Sequence, residues 1–119
     1  MATELKITGF HDAVDYKIVQ CTAIESADHQ VNVTVGPGTL YAAYLDSSNC
    51  SANVSLHILD GKETTNTEFV LRGLAQSTRS IQVPTGFAFS ELEFWVSANS
   101  AEADSTSFTG TVDVTLICI

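Results

Sequence analysis

Apolar and polar side chains alternate along most of this chain, most clearly between Glu91 and Ala98. Two sets of residues take turns there: Leu92, Phe94, Val96 and Ala98 against Glu91, Glu93, Trp95 and Ser97. Successive side chains of a β-strand point to opposite faces, so this pattern is typical of a strand with one buried face. The same pattern recurs through nearly the whole sequence and leaves little room for helix.

Nine segments are predicted to be strands, and turn-forming residues such as Asp60-Gly61 separate nearly all of them. They are Glu4–Thr8, Asp15–Ile24, His29–Val35, Thr39–Ser47, Asn53–Asp60, Thr67–Arg72, Arg79–Val83, Leu92–Ala98 and Phe108–Ile119. In His29–Val35 the three valines are expected to face the core. Short strands at this spacing predict an all-β protein, a single-domain antiparallel β-sandwich over residues 1–119, for which a jelly roll is one topology.

The alternation breaks in two places. Thr39–Leu45 is apolar on both faces, which is expected of a central strand or of one covered by another segment. At the C-terminus, Ile117 and Ile119 fall on the otherwise polar face of their strand, and Trp95 is outward by the same parity. These three residues are therefore the candidates for a contact surface, the alternative being that a loop or the N-terminal segment covers them.

Charge excludes several kinds of partner. The formal net charge is −9, and all five basic residues lie before position 80. A nucleic-acid-binding protein needs a basic patch to displace counterions from phosphates, and an anionic membrane surface attracts basic segments. We therefore expect neither nucleic acid nor membrane as a partner.

The first residues and the cysteines both indicate a reducing compartment. Met-Ala-Thr-Glu-Leu-Lys lacks the charged and apolar regions of a signal peptide, so synthesis and folding in the cytoplasm are expected. Cys21, Cys50 and Cys118 are odd in number and form no Cys-x-x-Cys pair. Buried free thiols are therefore predicted.

The sequence offers no pattern of catalytic or metal-binding residues. His11, His29 and His57 lie in separate segments without metal-ligand spacing, and neither a Gly-x-Ser-x-Gly elbow nor a P-loop is present. By strand parity, His57 is expected on the solvated surface. We therefore predict no catalytic residue, no cofactor and no metal, and no enzymatic activity. A sugar-binding module stays open as an alternative, because Trp95, Tyr41 or Tyr44 would suit stacking on a sugar ring.

The order of segments from position 39 to 119 resembles the small virion structural proteins of tailed bacteriophages. In those proteins a strand ending in a Lys-Leu-Tyr-Asp-like segment precedes a Val-Pro-x-Gly-x-x-Phe corner and a closing strand rich in Val and Thr. This chain has His57-Ile58-Leu59-Asp60, then Val83-Pro84-Thr85-Gly86-Phe87-Ala88-Phe89, then Val112–Leu116. It departs from the pattern at His57 and Ile58, where the family tends to Lys and Leu.

The resemblance implies a role in virion assembly. A protein of this kind would decorate or cement the capsid as a homotrimer, binding the major capsid protein or other virion proteins, and would be located in the virion. A tail or head–tail component is the alternative within the same family. Because small contacts add through multivalency, Ile117, Ile119 and Trp95 are expected to contribute to subunit or capsid contacts.

Overall fold

The computed structural model describes the backbone of residues 4–9 and all of residues 17–62 and 68–119. These residues form two antiparallel β-sheets and contain no helix, which confirms the predicted all-β sandwich. The strands are β1 (Glu4–Gly9), β2 (Lys17–Ile24), β3 (Gly38–Asp46), β4 (Val54–Asp60), β5 (Phe69–Gly73), β6 (Thr78–Phe89), β7 (Leu92–Ser97) and β8 (Val112–Cys118). The predicted strand starts Asp15 and Thr67 lie outside the described residues, as does His11.

The strand order is that of a jelly roll. The large sheet has the order β1-β2-β8-β3-β6 and the small sheet the order β5-β4-β7. Between β2 and β3 the chain crosses to the small sheet, where Gln30 and Phe94 exchange backbone hydrogen bonds of 2.8 and 3.0 Å. Successive segments therefore wind between the two sheets, and β1 is an added edge strand.

The core lies between the sheets and is built from the inward faces that the alternation predicted. Its fully buried members include Leu56 and Ile58 of β4, Phe94 of β7 and Leu116 of β8. The three cysteines are free and buried, as predicted. Burial raises the pKa of the Cys21 thiol to about 11 and that of Cys118 to about 12, because a thiolate is poorly solvated there.

The segment from His29 to Val35 is not a strand, contrary to the prediction. Asn32 and Val35 have φ values of 48° and 53°, in the left-handed region, and the Val35 amide donates to the Asn32 carbonyl oxygen. This turn breaks the period of two, so of the three valines Val33 alone is buried, whereas Val31 and Val35 are 59% and 77% exposed. The apolar alternation was a misleading signal here because the Asn32 side chain accepts from the Gly36 amide, a local hydrogen bond that competes with strand pairing.

The Pro84–Gly86 corner lies inside a strand rather than between two. Strand β6 pairs with β3 on both sides of it, Gln82 with Ala42 and Phe87 with Leu40, so four residues of β6 bulge opposite Tyr41. Gly86 has a φ of 78°, and a Cβ there would overlap Thr39, which is why glycine is needed at this point.

Candidate functional site

The outer face of the small sheet is covered by the protein's own loops. The indole of Trp95 is only 2% exposed and lies between two imidazole rings. Its ring centroid is 3.9 Å from that of His29 and 4.7 Å from that of His57, with interplanar angles of 6° and 2°. In the loop after β7, the carbonyl oxygen of Asp104 accepts a hydrogen bond from the indole nitrogen at 2.8 Å. Stacking and this hydrogen bond together fix the ring.

This arrangement corrects two expectations. Trp95 does point away from the core, as parity predicted, but it is covered and offers no contact surface. His57 is fully buried rather than solvated. Its Nε2 lies 2.7 Å from Ser97 Oγ and 3.2 Å from the Asn99 carbonyl oxygen. A carbonyl oxygen only accepts, so Nε2 carries a proton and donates to both.

Each of the two histidines has a glutamate beside it. His29 Nδ1 donates to Glu93 Oε2 at 2.7 Å. His57 Nδ1 lies 3.2 Å from Glu68 Oε2, but the two groups are not aligned for a hydrogen bond, so Nδ1 has no hydrogen-bond partner. The side chains of His57 and Glu68 are 0% and 4% exposed, so no substrate reaches this pair in the structure. A histidine–carboxylate pair has the chemistry of an acid–base dyad, but here Glu68 accepts from the Ala103 amide at 3.1 and 3.2 Å and so connects the start of β5 to the loop after β7.

The outer face of the large sheet is open to solvent instead. Register places one row of side chains, Gln20, Thr115, Tyr44 and Ser80, across β2, β8, β3 and β6. A second row runs through Asp113, Asp46 and Thr78. Tyr44 is 41% exposed at the centre. We call this surface the open face, formed by Ile18, Gln20, Thr22, Tyr44, Asp46, Thr78, Ser80, Asp113, Thr115, Ile117 and Ile119.

A shallow groove of about 460 Å³ runs across the open face. Polar side chains of four strands line it around Tyr44, among them Gln20, Asp46, Ser80, Asp113 and Thr115. Arg79 also borders the groove, but its guanidinium donates to the Arg72 carbonyl oxygen of the small sheet at 2.9 Å. The cation is therefore directed away, and the groove combines an aromatic ring with hydroxyls, an amide and two carboxylates.

The two carboxylates of the groove are neighbours of like charge. Asp46 and Asp113 are paired in register on β3 and β8. Ser48 donates to Asp46 Oδ1 through its hydroxyl at 2.6 Å and its amide at 3.0 Å, and these bonds lower the pKa of that carboxyl. Asp113 Oδ1 accepts from the Ala23 amide at 2.9 Å. Like charges placed directly opposite each other on neighbouring strands are a pairing that sheets generally disfavour.

Of the three predicted contact residues, the structure brings two together. Ile117 lies half-buried on the open face, in register with Ile18 and Ala42. Ile119 continues the same strand past Cys118, exchanging backbone hydrogen bonds of 2.8 and 2.9 Å with Thr39, and is 46% exposed. Trp95 belongs to the other sheet and is not part of this surface.

The sequence prediction did not single out Asp46 and Asp113, and it placed Tyr44 in an ambiguous strand. Tyr41 and Tyr44 are both exposed although three positions apart, because the bulge at Tyr41 shifts the register of β3. The Pro84-Thr85-Gly86 signal was the one hint of that bulge. Nothing in the sequence pairs Asp46 with Asp113, since their proximity comes from strand order.

Neither a scan of protein-family models nor searches of curated proteins and of solved structures finds a match to this chain. Among the described residues, no group of three or more His, Cys, Asp or Glu side chains is placed to hold a metal ion. The same part of the chain has no helix long and apolar enough to cross a membrane.

Proposed function

We propose that this protein is a virion structural protein of a tailed bacteriophage, a capsid decoration protein that binds the head surface through protein–protein contacts and catalyses no reaction. One observation carries the proposal. The small sheet is covered on its outer side by the protein's own loops, whereas the large sheet leaves Tyr41, Tyr44 and Ile119 exposed. The resemblance of residues 39–119 to virion proteins supports the same role.

The open face has the composition of a protein contact. Aromatic side chains contribute much of the energy of interfaces, and Tyr44 stands at the centre of this one with hydroxyls and an amide around it. Ile117 and Ile119 add an apolar end to it. A homotrimer would present three such faces to the major capsid protein, so that contacts that are weak singly hold the protein on the head.

The test compares two aspartate substitutions at exposed apolar residues. Ile119→Asp alters the open face, and Leu74→Asp, at a site 52% exposed elsewhere, is the matched control. Native mass spectrometry gives the oligomer mass, and co-sedimentation with phage heads lacking the protein gives binding. We expect a wild-type trimer that binds heads, weakened by Ile119→Asp but not by Leu74→Asp. A wild-type protein that stays in the supernatant while the heads sediment would refute the proposal.

The groove also favours a second candidate, a carbohydrate-binding module. An exposed aromatic ring beside carboxylate, amide and hydroxyl groups suits a sugar, which offers both an apolar ring face and hydroxyl donors. A glycan array with wild type and Tyr44→Ala tests it. Fluorescence of Trp95 is unsuited to this purpose because the indole is buried on the other sheet.

A further inference from the structure

We propose that the groove of the open face binds a basic segment of the partner protein, with an arginine side chain held between Asp46 and Asp113 and stacked on Tyr44. This inference rests on the proposed function, because it specifies the chemistry of the virion partner. The observations behind it are the register of β3 and β8, the lack of a described cation paired with these two carboxylates, and the exposed aromatic ring.

The carboxylate pair is the first of these observations. Asp46 and Asp113 face each other on neighbouring strands. The amide and hydroxyl of Ser48 and the amide of Ala23 each donate to one oxygen of their respective carboxylates, Oδ1 in both cases. Within the described residues no hydrogen bond reaches Oδ2 of either carboxylate, so both Oδ2 atoms can accept from a ligand. A guanidinium carries five N–H donors in a planar fork, which suits it to join two carboxylates.

No described side chain of the protein neutralises the pair. Arg79 donates to a backbone carbonyl oxygen of the small sheet, and Lys17 donates to the Thr34 carbonyl oxygen. Arg72 bonds to Ser55 and to the Ala98 carbonyl oxygen. On strand β1, beside β2, Glu4 is paired in register with Thr22 and Lys6 with Gln20, so this edge adds one acidic and one basic residue.

The negative charges of Asp46 and Asp113 also indicate which kind of molecule would bind in the groove. A second copy of this chain has a net charge of −9, so its mostly negative surface would be repelled by the acidic groove. A neutral sugar would leave the like-charge pair uncompensated. A basic segment removes the repulsion, and long-range attraction to an acidic protein speeds its approach. Charge complementarity therefore favours a basic protein partner.

Tyr44 favours arginine within that class. It lies two positions before Asp46 on the same face of β3, about 7 Å along the strand. An arginine side chain is long enough to lie across the ring while its guanidinium reaches the carboxylates. The apolar stem of arginine packs on the ring, and its planar guanidinium can bond to both carboxylates at once, which the strongly hydrated ammonium of lysine does less readily.

The experiment measures binding of a fluorescent peptide containing two arginines, Gly-Arg-Gly-Arg-Gly, by anisotropy. The same peptide with citrulline in place of arginine is the uncharged control ligand. Variants are Asp46→Asn with Asp113→Asn, Tyr44→Ala, and Glu102→Gln as a control that removes one acid from an exposed loop. We expect the double variant to weaken binding about tenfold or more. Glu102→Gln should change it less than about twofold, and the citrulline peptide should not bind.

The outcomes separate this inference from the proposed function. Equal peptide affinity for wild type and the double variant overturns the inference, as does a neutral glycan that binds the groove while the peptide does not. The same variants are then tested on phage heads. If Ile119→Asp loses head binding and the double variant does not, the assembly role is supported and the binding of a basic segment is refuted. Peptide binding with the expected variant pattern, but no head binding by wild type, supports the basic ligand and refutes the assembly role.

Discussion

Removal of the Trp95 indole tests whether the outer side of the small sheet is a second packed layer. Trp95→Ala deletes a side chain that is 2% exposed, stacked between His29 and His57 and hydrogen-bonded to the Asp104 carbonyl oxygen. Truncation of a buried aromatic residue costs about 3–5 kcal/mol. The outer position allows the covering loop to settle partly into the space, so we take about 4 kcal/mol as the expected loss of unfolding free energy.

The expected change in melting temperature follows from the chain length. An unfolding entropy of about 2.1 cal/mol/K per residue over 119 residues is about 250 cal/mol/K, so 4 kcal/mol lowers Tm by about 16 °C. Far-UV circular dichroism during urea and thermal unfolding measures both quantities. Tyr44→Ala, an aromatic truncation on the open face, is the control, expected within about 0.5 kcal/mol of wild type.

Two results would refute this reasoning. A loss below about 1 kcal/mol in Trp95→Ala would mean that the loop does not cover the indole in solution. An equal loss in Tyr44→Ala would mean that the open face is packed against something. Trp95→Phe separates the contributions in part, because it keeps a ring that can stack but removes the donor to Asp104 together with some buried ring area, at a cost of about 1–2 kcal/mol.

Three further predictions concern other parts of the fold. Gly110→Ala should destabilise the protein by about 2 kcal/mol or more in urea unfolding, because φ is 107° and a Cβ would overlap the Asn49 carbonyl oxygen; an unchanged midpoint would contradict this. Cys21 and Cys118, whose pKa values are raised to about 11 and about 12 by burial, should react with a thiol reagent at pH 8 only after unfolding, as counted by absorbance, and rapid labelling of the native protein would argue against it. Asp104 has a pKa lowered to about 2, chiefly because the Thr106 hydroxyl donates to it, so its contribution to stability is present above about pH 4 and is lost as the pH falls through 2; NMR titration of its carboxyl should show that midpoint, and an ordinary midpoint near 3.8 would exclude the hydrogen bonds.

The strands were predictable because a half-buried strand imposes a period of two on its side chains. That rule located β4, β7 and β8 within a few residues and named their inward faces. It failed between His29 and Val35, where two residues in the left-handed region make a turn that apolar alternation does not reveal. It also could not distinguish a bulge from a turn at Gly86, since both need the same glycine.

The candidate site was predictable only in part. Parity placed Ile117 and Ile119 on an outward face, and the structure has both there. Parity also placed Trp95 and His57 outward, but outward from a sheet is not the same as exposed. A loop from residues 98–107 and the segment around His29 cover them, and neither segment carries a local signal of where it folds.

Sequence alone determined the alternation of apolar and polar residues, the net negative charge and the unpaired thiols, because each depends on residue types and their spacing along the chain. From these came the β-sandwich and the expectation that neither nucleic acid nor an anionic membrane is a partner. Only the tertiary structure decided which sheet face is covered and which is open, and only strand order set Asp46 against Asp113 beside Tyr44. The physical reason is that a binding surface is assembled across strands, by hydrogen bonds between residues far apart in sequence.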